Sequence, residues 1–109
     1  FAQAEHGVVG LETLLPLALA LYHKHKMPLL DVLRKLTSAP AAILRLPLGR
    51  IAKGAAADLV LFDPDRPWIV DAKRFRSKSK NSPFDEMPVQ GQVLRTIVAG
   101  RTLYEARAA

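Results

Sequence analysis

Apolar residues between Leu14 and Tyr22 follow the 3.6-residue period of an α-helix. Thr13 is the predicted N-cap, and Pro16 falls in the first turn, where its missing N–H costs nothing. Lys24 and Lys26 carry cations near the predicted carboxyl end, where they interact favourably with the helix dipole. A helix that is apolar nearly all round is a buried one. Two stripes share this period: Leu14, Leu17, Ala18 and Leu21 form one, and Leu15, Leu19 and Tyr22 form the other.

Two shorter helices are predicted next. Pro28 opens the first of them, and Ser38 is the predicted N-cap of the second, with Pro40 in its first turn. Pro47 and Gly49 then end the helical half of the chain, because neither residue continues a helix readily. The face of the first short helix consists of Leu29, Val32, Leu33 and Leu36.

The pattern changes to strands after Gly49. The run 57–63 predicts a buried strand that ends in a turn at Asp63-Pro64, and Trp68 lies in a second short strand within the core. A long polar loop is predicted over 73–91. The dipeptide Ala99-Gly100 predicts a tight hairpin between the last two strands, 93–98 and 101–105.

These patterns define an α+β chain with a helical half at 1–48 and a β half at 49–109. Gly7 and Gly10 bracket two valines directly before the first helix, an arrangement typical of a loop at the mouth of an α/β barrel followed by its outer helix. The chain starts at Phe1, with neither an initiator Met nor a preceding strand. We therefore expect it to be the carboxy-terminal part of a larger enzyme.

Composition and charge exclude several classes. The sequence has no Cys, so it holds neither a disulfide framework nor a thiolate metal site, and no apolar run is long enough to span a membrane. These features fit a cytoplasmic protein. The formal net charge is +6, and five of the sixteen cations lie within 73–80. Only Phe75 interleaves with them, so a solvated loop is favoured over a nucleic-acid interface.

Four segments together resemble one family. They match, in order along essentially the whole chain, the end of class I dihydroorotases of the metal-dependent amidohydrolase superfamily. The Gly-Leu-Glu-Thr and Asn-Ser-Pro-Phe elements narrow the resemblance toward dihydroorotase, with allantoinase and dihydropyrimidinase as related possibilities. The segments are Gly7-x-x-Gly10-Leu11-Glu12-Thr13, Gly54-x-x-Ala57-Asp58-Leu59-Val60-Leu61-Phe62-Asp63, Lys78-x-Lys80-Asn81-Ser82-Pro83-Phe84 and Gly91-x-Val93-x-x-Thr96-Ile97-Val98-x-Gly100.

The resemblance implies a fold and a reaction. Residues 1–48 would be the final helices of a (β/α)8 barrel, and 49–109 most of a small, sandwich-like β domain assembled from both ends of the whole chain. The reaction would be the reversible cyclisation of N-carbamoyl-L-aspartate to dihydroorotate in pyrimidine synthesis. One or two zinc ions in the barrel would activate the attacking oxygen and polarise the carbonyl. A homo-oligomer is also implied.

The family's metal ligands and catalytic Asp lie upstream of the matched segment, so we expect this chain alone to be inactive and to bind no metal. His23 and His25 have the His-x-His spacing of the superfamily's first metal motif. On a helix, however, positions i and i+2 do not share a face, and Lys24 and Lys26 would repel a cation. Two solvent-facing histidines at a helix end are predicted instead.

The candidate substrate-binding residues are His6 and Gly7, which align with a family segment that touches substrate largely through its backbone. A glycine lets the main chain approach a ligand closely, and the amide-rich ring of dihydroorotate suits backbone partners. The family often has an apolar residue or Pro where His6 stands, so the backbone carries this prediction rather than the imidazole. Glu12 is predicted to interact with the helix dipole, and residues 81–84 to fix a loop through local bonds of Asn81.

Asp58 and Asp63 flank the predicted strand, and we assign both to structural roles because they would point to opposite faces. Two alternatives to an active dihydroorotase stay open. One is a non-catalytic, dihydroorotase-like subunit that supports aspartate carbamoyltransferase; the presence or absence of metal-ligand histidines upstream separates these two. The other is a free-standing basic module that binds nucleic acid with a steep salt dependence.

Overall fold

The computed structural model describes residue 4 and residues 6–107. The expectation drawn from Phe1 lies outside this part of the chain. Within these residues, three helices precede a three-stranded antiparallel sheet with the order β1-β2-β3, and one 3-10 turn, Ala72–Arg74, follows β1. The α+β class is therefore confirmed. The elements are α1 (Leu14–His25), α2 (Leu29–Leu36), α3 (Ser38–Ile43), β1 (Leu59–Ile69), β2 (Pro88–Val98) and β3 (Arg101–Glu105).

The helix boundaries follow the sequence pattern, and Thr13 is the N-cap residue of α1 as predicted, whereas Ser38 is not the N-cap of α3. Thr13 precedes α1, yet its buried hydroxyl donates back to the Gly10 carbonyl at 3.4 Å and makes no cap bond. Thr37, not Ser38, is the residue before α3, and its hydroxyl donates to the Leu33 carbonyl of α2 at 2.7 Å. In both cases the hydroxyl finds a carbonyl on the preceding turn, which competes with capping.

The first strand is longer than predicted. The two short strands expected at 57–63 and 68–70 are one strand, β1, that passes through Pro64 and Pro67. Asp63 makes a local Asx-type turn with Asp65, but the chain does not reverse there and the strand continues. The pairing with β2 is interrupted between Asp63 and Pro67, and the Asp63 carboxylate accepts from the Asp65 N–H at 2.9 Å. Prolines are tolerated there because β1 is an edge strand and a bulge leaves positions without ladder bonds.

The predicted hairpin is confirmed. Ala99 and Gly100 both have positive φ, 50° and 78°, as a type I′ turn requires. The Asp58 carboxylate accepts from the Ala99 N–H at 2.8 Å and so holds the turn against the start of β1. Asp58 and Asp63 thus have the structural roles that the sequence predicts.

The core lies between α1 and the sheet. Leu19 of α1 is fully buried, and a Cβ on Gly91 of β2, which has a φ of 105°, would overlap its Cδ1 atom. Trp68 donates from Nε1 to the Gly91 carbonyl at 2.7 Å, which fixes the indole beside this contact as a core residue. A second cluster consists of Val70, Ala72 and Phe75 with Val9, Trp68 and Val89 packed around it.

Much of the apolar surface is not covered. The accessible area is 8818 Å² for 12.0 kDa. A self-contained monomer of this mass exposes about 6,000 Å², so roughly 2,800 Å² is in excess. The radius of gyration of 15.5 Å also exceeds the ~13 Å of a compact chain of this length. This surface has the character of a packing surface, because it includes many large aliphatic side chains.

Two elements that the sequence predicts to be buried are largely uncovered within the described residues. Only Pro16 and Leu19 of α1 are buried, on the side that the sheet covers, whereas Leu14 is 52% exposed. In β1, Leu59, Val60 and Leu61 are all exposed. Since consecutive strand residues point to opposite faces, this end of the sheet is open on both sides. The described residues form one sheet layer and not the second layer of a sandwich.

Candidate functional site

The predicted substrate-binding residues lie in an exposed segment before α1. His6 and Gly7 are both exposed, and Gly7 has a φ of 77°, a conformation that favours glycine. A Cβ at Gly7 would meet nothing within 4 Å, so the backbone angle and not crowding explains this glycine. The backbone here is open to solvent and therefore accessible to a ligand.

Asn81, which is distant in sequence, holds this segment in place. Its side-chain amide donates to the Gly7 carbonyl, 74 residues away in sequence, and its own carbonyl accepts from the Val9 N–H at 2.9 Å. The predicted local bonding of the Asn81 side chain is therefore wrong. Because the partner is so distant in sequence, the Asn-Ser-Pro-Phe motif could indicate an ordered loop but not its target.

Glu12 attaches the same two segments at a second point. Its carboxylate accepts from the Arg76 N–H at 3.1 Å and from the Ser77 N–H at 3.5 Å. A contribution from the α1 dipole remains available, since the carboxylate precedes the helix by two residues. The direct partners, however, are the two backbone N–H groups, which the sequence did not reveal. Segment 7–12 and loop 75–81 are thus joined at both ends.

The basic loop is ordered by its own cations. Lys80, although exposed, folds back on its own loop and donates from Nζ to the Phe75 carbonyl and, at 2.8 Å, to the Ser77 carbonyl. The Arg76 guanidinium lies 5.4 Å from the centre of the Tyr104 ring. Two of the five cations therefore serve intramolecular contacts. This favours the solvated loop of the sequence analysis over a continuous nucleic-acid surface.

A groove of about 270 Å³ lies between these two segments. Its floor includes the buried Phe75, and its rim includes Leu11, which is 92% exposed. The lining offers apolar side chains, backbone groups and one carboxylate. Such a surface can bind and orient a ligand or a neighbouring element. The lining residues are Val8, Val9, Gly10, Leu11, Glu12, Phe75 and Ser77.

The two histidines of α1 differ in their surroundings. The prediction that His23 faces solvent is wrong. Its Nε2 donates to the Pro64 carbonyl at 2.7 Å, and its Nδ1 lies 3.8 Å from the Asp65 carboxylate. The imidazole thus secures α1 to the bulge of β1. His25 is exposed, as predicted. Within residues 4 and 6–107, no three His, Cys, Asp or Glu side chains cluster closely enough to hold a metal ion.

No helix in the described part of the chain has the length and apolarity needed to cross a membrane.

Comparison with known families identifies the class. Residues 4–103 match the model of the amidohydrolase family, so the chain belongs to that family. The resemblance found in the sequence is thereby confirmed.

The most informative relatives are dihydroorotases by name. Dihydroorotase of Anaplasma phagocytophilum is 62% identical over 100 residues, which is 92% of this chain and 22% of the relative. Dihydroorotase of Ehrlichia chaffeensis is 55% identical over 103 residues, 94% of this chain and 23% of the relative. The chain thus spans less than a quarter of the length of these curated relatives. Its similarity to dihydroorotases, predicted from the motifs, is confirmed.

A solved structure supports the same family at the level of the fold. L-hydantoinase (dihydropyrimidinase) from Arthrobacter aurescens superposes with a TM-score of 0.86 at 38% identity, covering 94% of this chain and 23% of that enzyme. The arrangement of helices and sheet described above is therefore that of a segment of this enzyme class.

Proposed function

We propose that this chain is the carboxy-terminal segment of a dihydroorotase, an enzyme that interconverts N-carbamoyl-L-aspartate and dihydroorotate in pyrimidine synthesis. The observation that carries the proposal is the 62% identity to a dihydroorotase over 92% of the chain. The hydantoinase relative is less similar, at 38% identity. Both names denote enzymes that act on cyclic amides. The higher sequence identity to dihydroorotases favours dihydroorotate as the substrate.

The architecture forms part of the same proposal. Residues 1–48 would close a metal-dependent hydrolase barrel, and residues 49–109 would belong to a small composite β domain that the rest of the protein completes. The uncovered face of α1 and the open end of β1 support this arrangement, because both expose leucines that a folded protein normally covers. The proposal includes a cytoplasmic, homo-oligomeric enzyme that acts on small molecules, as the resemblance to dihydroorotases implies.

Within the whole enzyme, this chain would supply part of the substrate-site rim and no catalytic group. His6 and Gly7 would contact substrate through main-chain N–H and C=O groups, which match the amide groups of the dihydroorotate ring. Their exposure and the positive φ of Gly7 support this role.

The zinc implied by the resemblance does not fit the residues of this chain. The described residues offer no three-ligand cluster, and His23 is engaged with Pro64. In the proposal, the rest of the protein provides the zinc ligands and the group that transfers the proton.

The test is a substrate comparison on the full-length protein that contains this segment. We expect it to form dihydroorotate from N-carbamoyl-L-aspartate and to hydrolyse dihydroorotate, with loss of both activities on chelation and recovery with zinc. Hydantoin and dihydrouracil serve as control substrates. Turnover of hydantoin or dihydrouracil without dihydroorotate would assign the protein to the hydantoinases instead. A full-length protein that turns over none of them would favour the non-catalytic subunit that supports aspartate carbamoyltransferase.

A further inference from the structure

Loop 75–81 is attached to the segment that contains Gly7 at two separate points. At one end, the Asn81 side chain donates to the Gly7 carbonyl and its main chain accepts from Val9. At the other end, the Glu12 carboxylate accepts from the N–H groups of Arg76 and Ser77. Two attachments on either side of a short segment restrict both its position and its rotation.

The loop itself provides a rigid base for these attachments. Phe75 anchors its start in the core, and the Lys80 ammonium bridges the carbonyls of Phe75 and Ser77. Asn81 follows Lys80 directly, so the bridge also fixes the position from which the Asn81 side chain reaches Gly7. Hydrogen bonds within the loop therefore stabilise the conformation in which it contacts the segment that contains Gly7.

Gly7 needs such a constraint more than other residues would. Glycine reaches many backbone conformations at similar energy, and an exposed glycine loses most entropy when it is fixed. A side-chain hydrogen bond to its carbonyl selects one orientation of the peptide that follows. A ligand that binds the preselected orientation does not need to order the backbone itself.

We propose that Asn81 and Glu12 are positioning residues that preorganise the His6–Gly7 backbone for substrate. This inference rests on the proposed function, which places that backbone at the substrate. Neither side chain touches substrate in this proposal. Asn81 acts through the Gly7 carbonyl, and Glu12 acts by keeping the loop in place. The distinguishing consequence is a loss of substrate affinity with little loss of the chemical step, because the reacting groups lie on other parts of the enzyme.

The experiment uses the full-length enzyme and compares kcat and KM for dihydroorotate. We expect Asn81→Ala and Asn81→Asp each to raise KM by about fivefold to tenfold, the effect of losing one hydrogen bond, while kcat changes less than about threefold. Asn81→Asp keeps the size of the side chain but removes the N–H donor. Both variants keep the main-chain bond to Val9, so the measurement isolates the contribution of the Asn81 side chain.

Glu12 tests the second attachment independently. Glu12→Ala is expected to raise KM by a similar factor, whereas Glu12→Gln, which keeps an acceptor oxygen, should restore KM to within about threefold of the wild type. Lys78→Ala, which changes an exposed side chain of the same loop, is the matched control and should leave both constants unchanged. Melting temperatures of all variants are measured in parallel.

The results separate the possible failures. Unchanged KM in Asn81→Ala, Asn81→Asp and Glu12→Ala would overturn the inference while leaving the proposed function intact. So would a parallel drop in kcat and melting temperature with KM unchanged, because that describes a purely structural loop. Absence of dihydroorotate turnover in the wild-type enzyme would instead contradict the proposed function and, with it, the basis of the inference.

Discussion

Replacing Leu19 with alanine is expected to lower the free energy of unfolding of the full-length protein by about 3 to 5 kcal/mol. Leu19 has no exposed surface and fills the space that Gly91 leaves by lacking a Cβ. Truncation removes buried methyl groups and leaves a cavity that the rigid strand β2 cannot close. Urea-induced unfolding followed by circular dichroism measures the change.

Leu19→Met is the matched control for this prediction. It conserves side-chain volume and should cost less than about 1.5 kcal/mol, because the flexible thioether can fill the same space. If Leu19→Ala also cost less than about 1 kcal/mol, α1 would not be packed on β2 in the way described. The two variants together separate loss of volume from mere replacement of leucine.

Replacing Leu61 with aspartate is expected to destabilise the full-length protein by about 3 kcal/mol or more, or to make it insoluble. Leu61 is 58% exposed in this chain, at the end of the sheet that is open on both faces. In the proposed enzyme, other parts of the protein cover this end, and a carboxylate there would be buried without a partner. Yield of soluble protein and its melting temperature provide the measurement.

Leu61→Met controls for the loss of leucine without adding a charge, and it should be nearly neutral. A full-length Leu61→Asp protein as stable as the wild type would place this residue in water in the complete enzyme. That outcome would show that no other part of the protein covers this end of β1, and it would leave the packing of α1 on β2 unaffected.

The sequence predicted the elements whose signals are local. The bounds of α1 follow from its apolar period, with Pro16 at the start and cations at the end, and the hairpin follows from Ala99-Gly100. Thr13 is the N-cap residue of α1 as predicted, but its hydroxyl bonds back to Gly10 and makes no cap bond. Thr37 stands at the N-cap of α3 in place of the predicted Ser38, and its hydroxyl bonds to Leu33. Propensity alone does not decide between those two uses of a hydroxyl.

Features that depend on distant residues could not be predicted. The strand β1 continues through Pro64 because its partner β2 tolerates an irregular pairing there, and the pattern of one strand does not report on its partner. The bond of Asn81 to Gly7 and the contact of His23 with Pro64 join positions 74 and 41 residues apart. Motif resemblance located Gly7 and Asn81 separately, and only the fold brings them together.

For the candidate site too, the sequence indicated residues, whereas the fold revealed their contacts. His6 and Gly7 came from alignment with a family segment, and their role at the substrate stays a prediction. Their exposure and the attachment of Gly7 to loop 75–81 are structural observations that give the prediction a physical form. Glu12 was assigned to the dipole of α1 on local grounds, and its bonds to the loop backbone emerged from the tertiary structure.

The most direct test of the central claim is sedimentation velocity of the isolated 109-residue chain. The claim is that its excess apolar surface is an internal packing surface of a larger amidohydrolase. The total accessible area exceeds that of a self-contained monomer by roughly 2,800 Å², which is several times the ~800 Å² that each partner buries in a standard interface, so the isolated chain should self-associate or precipitate. A stable 12.0 kDa monomer that unfolds cooperatively would contradict the claim, because its leucines would then need no cover.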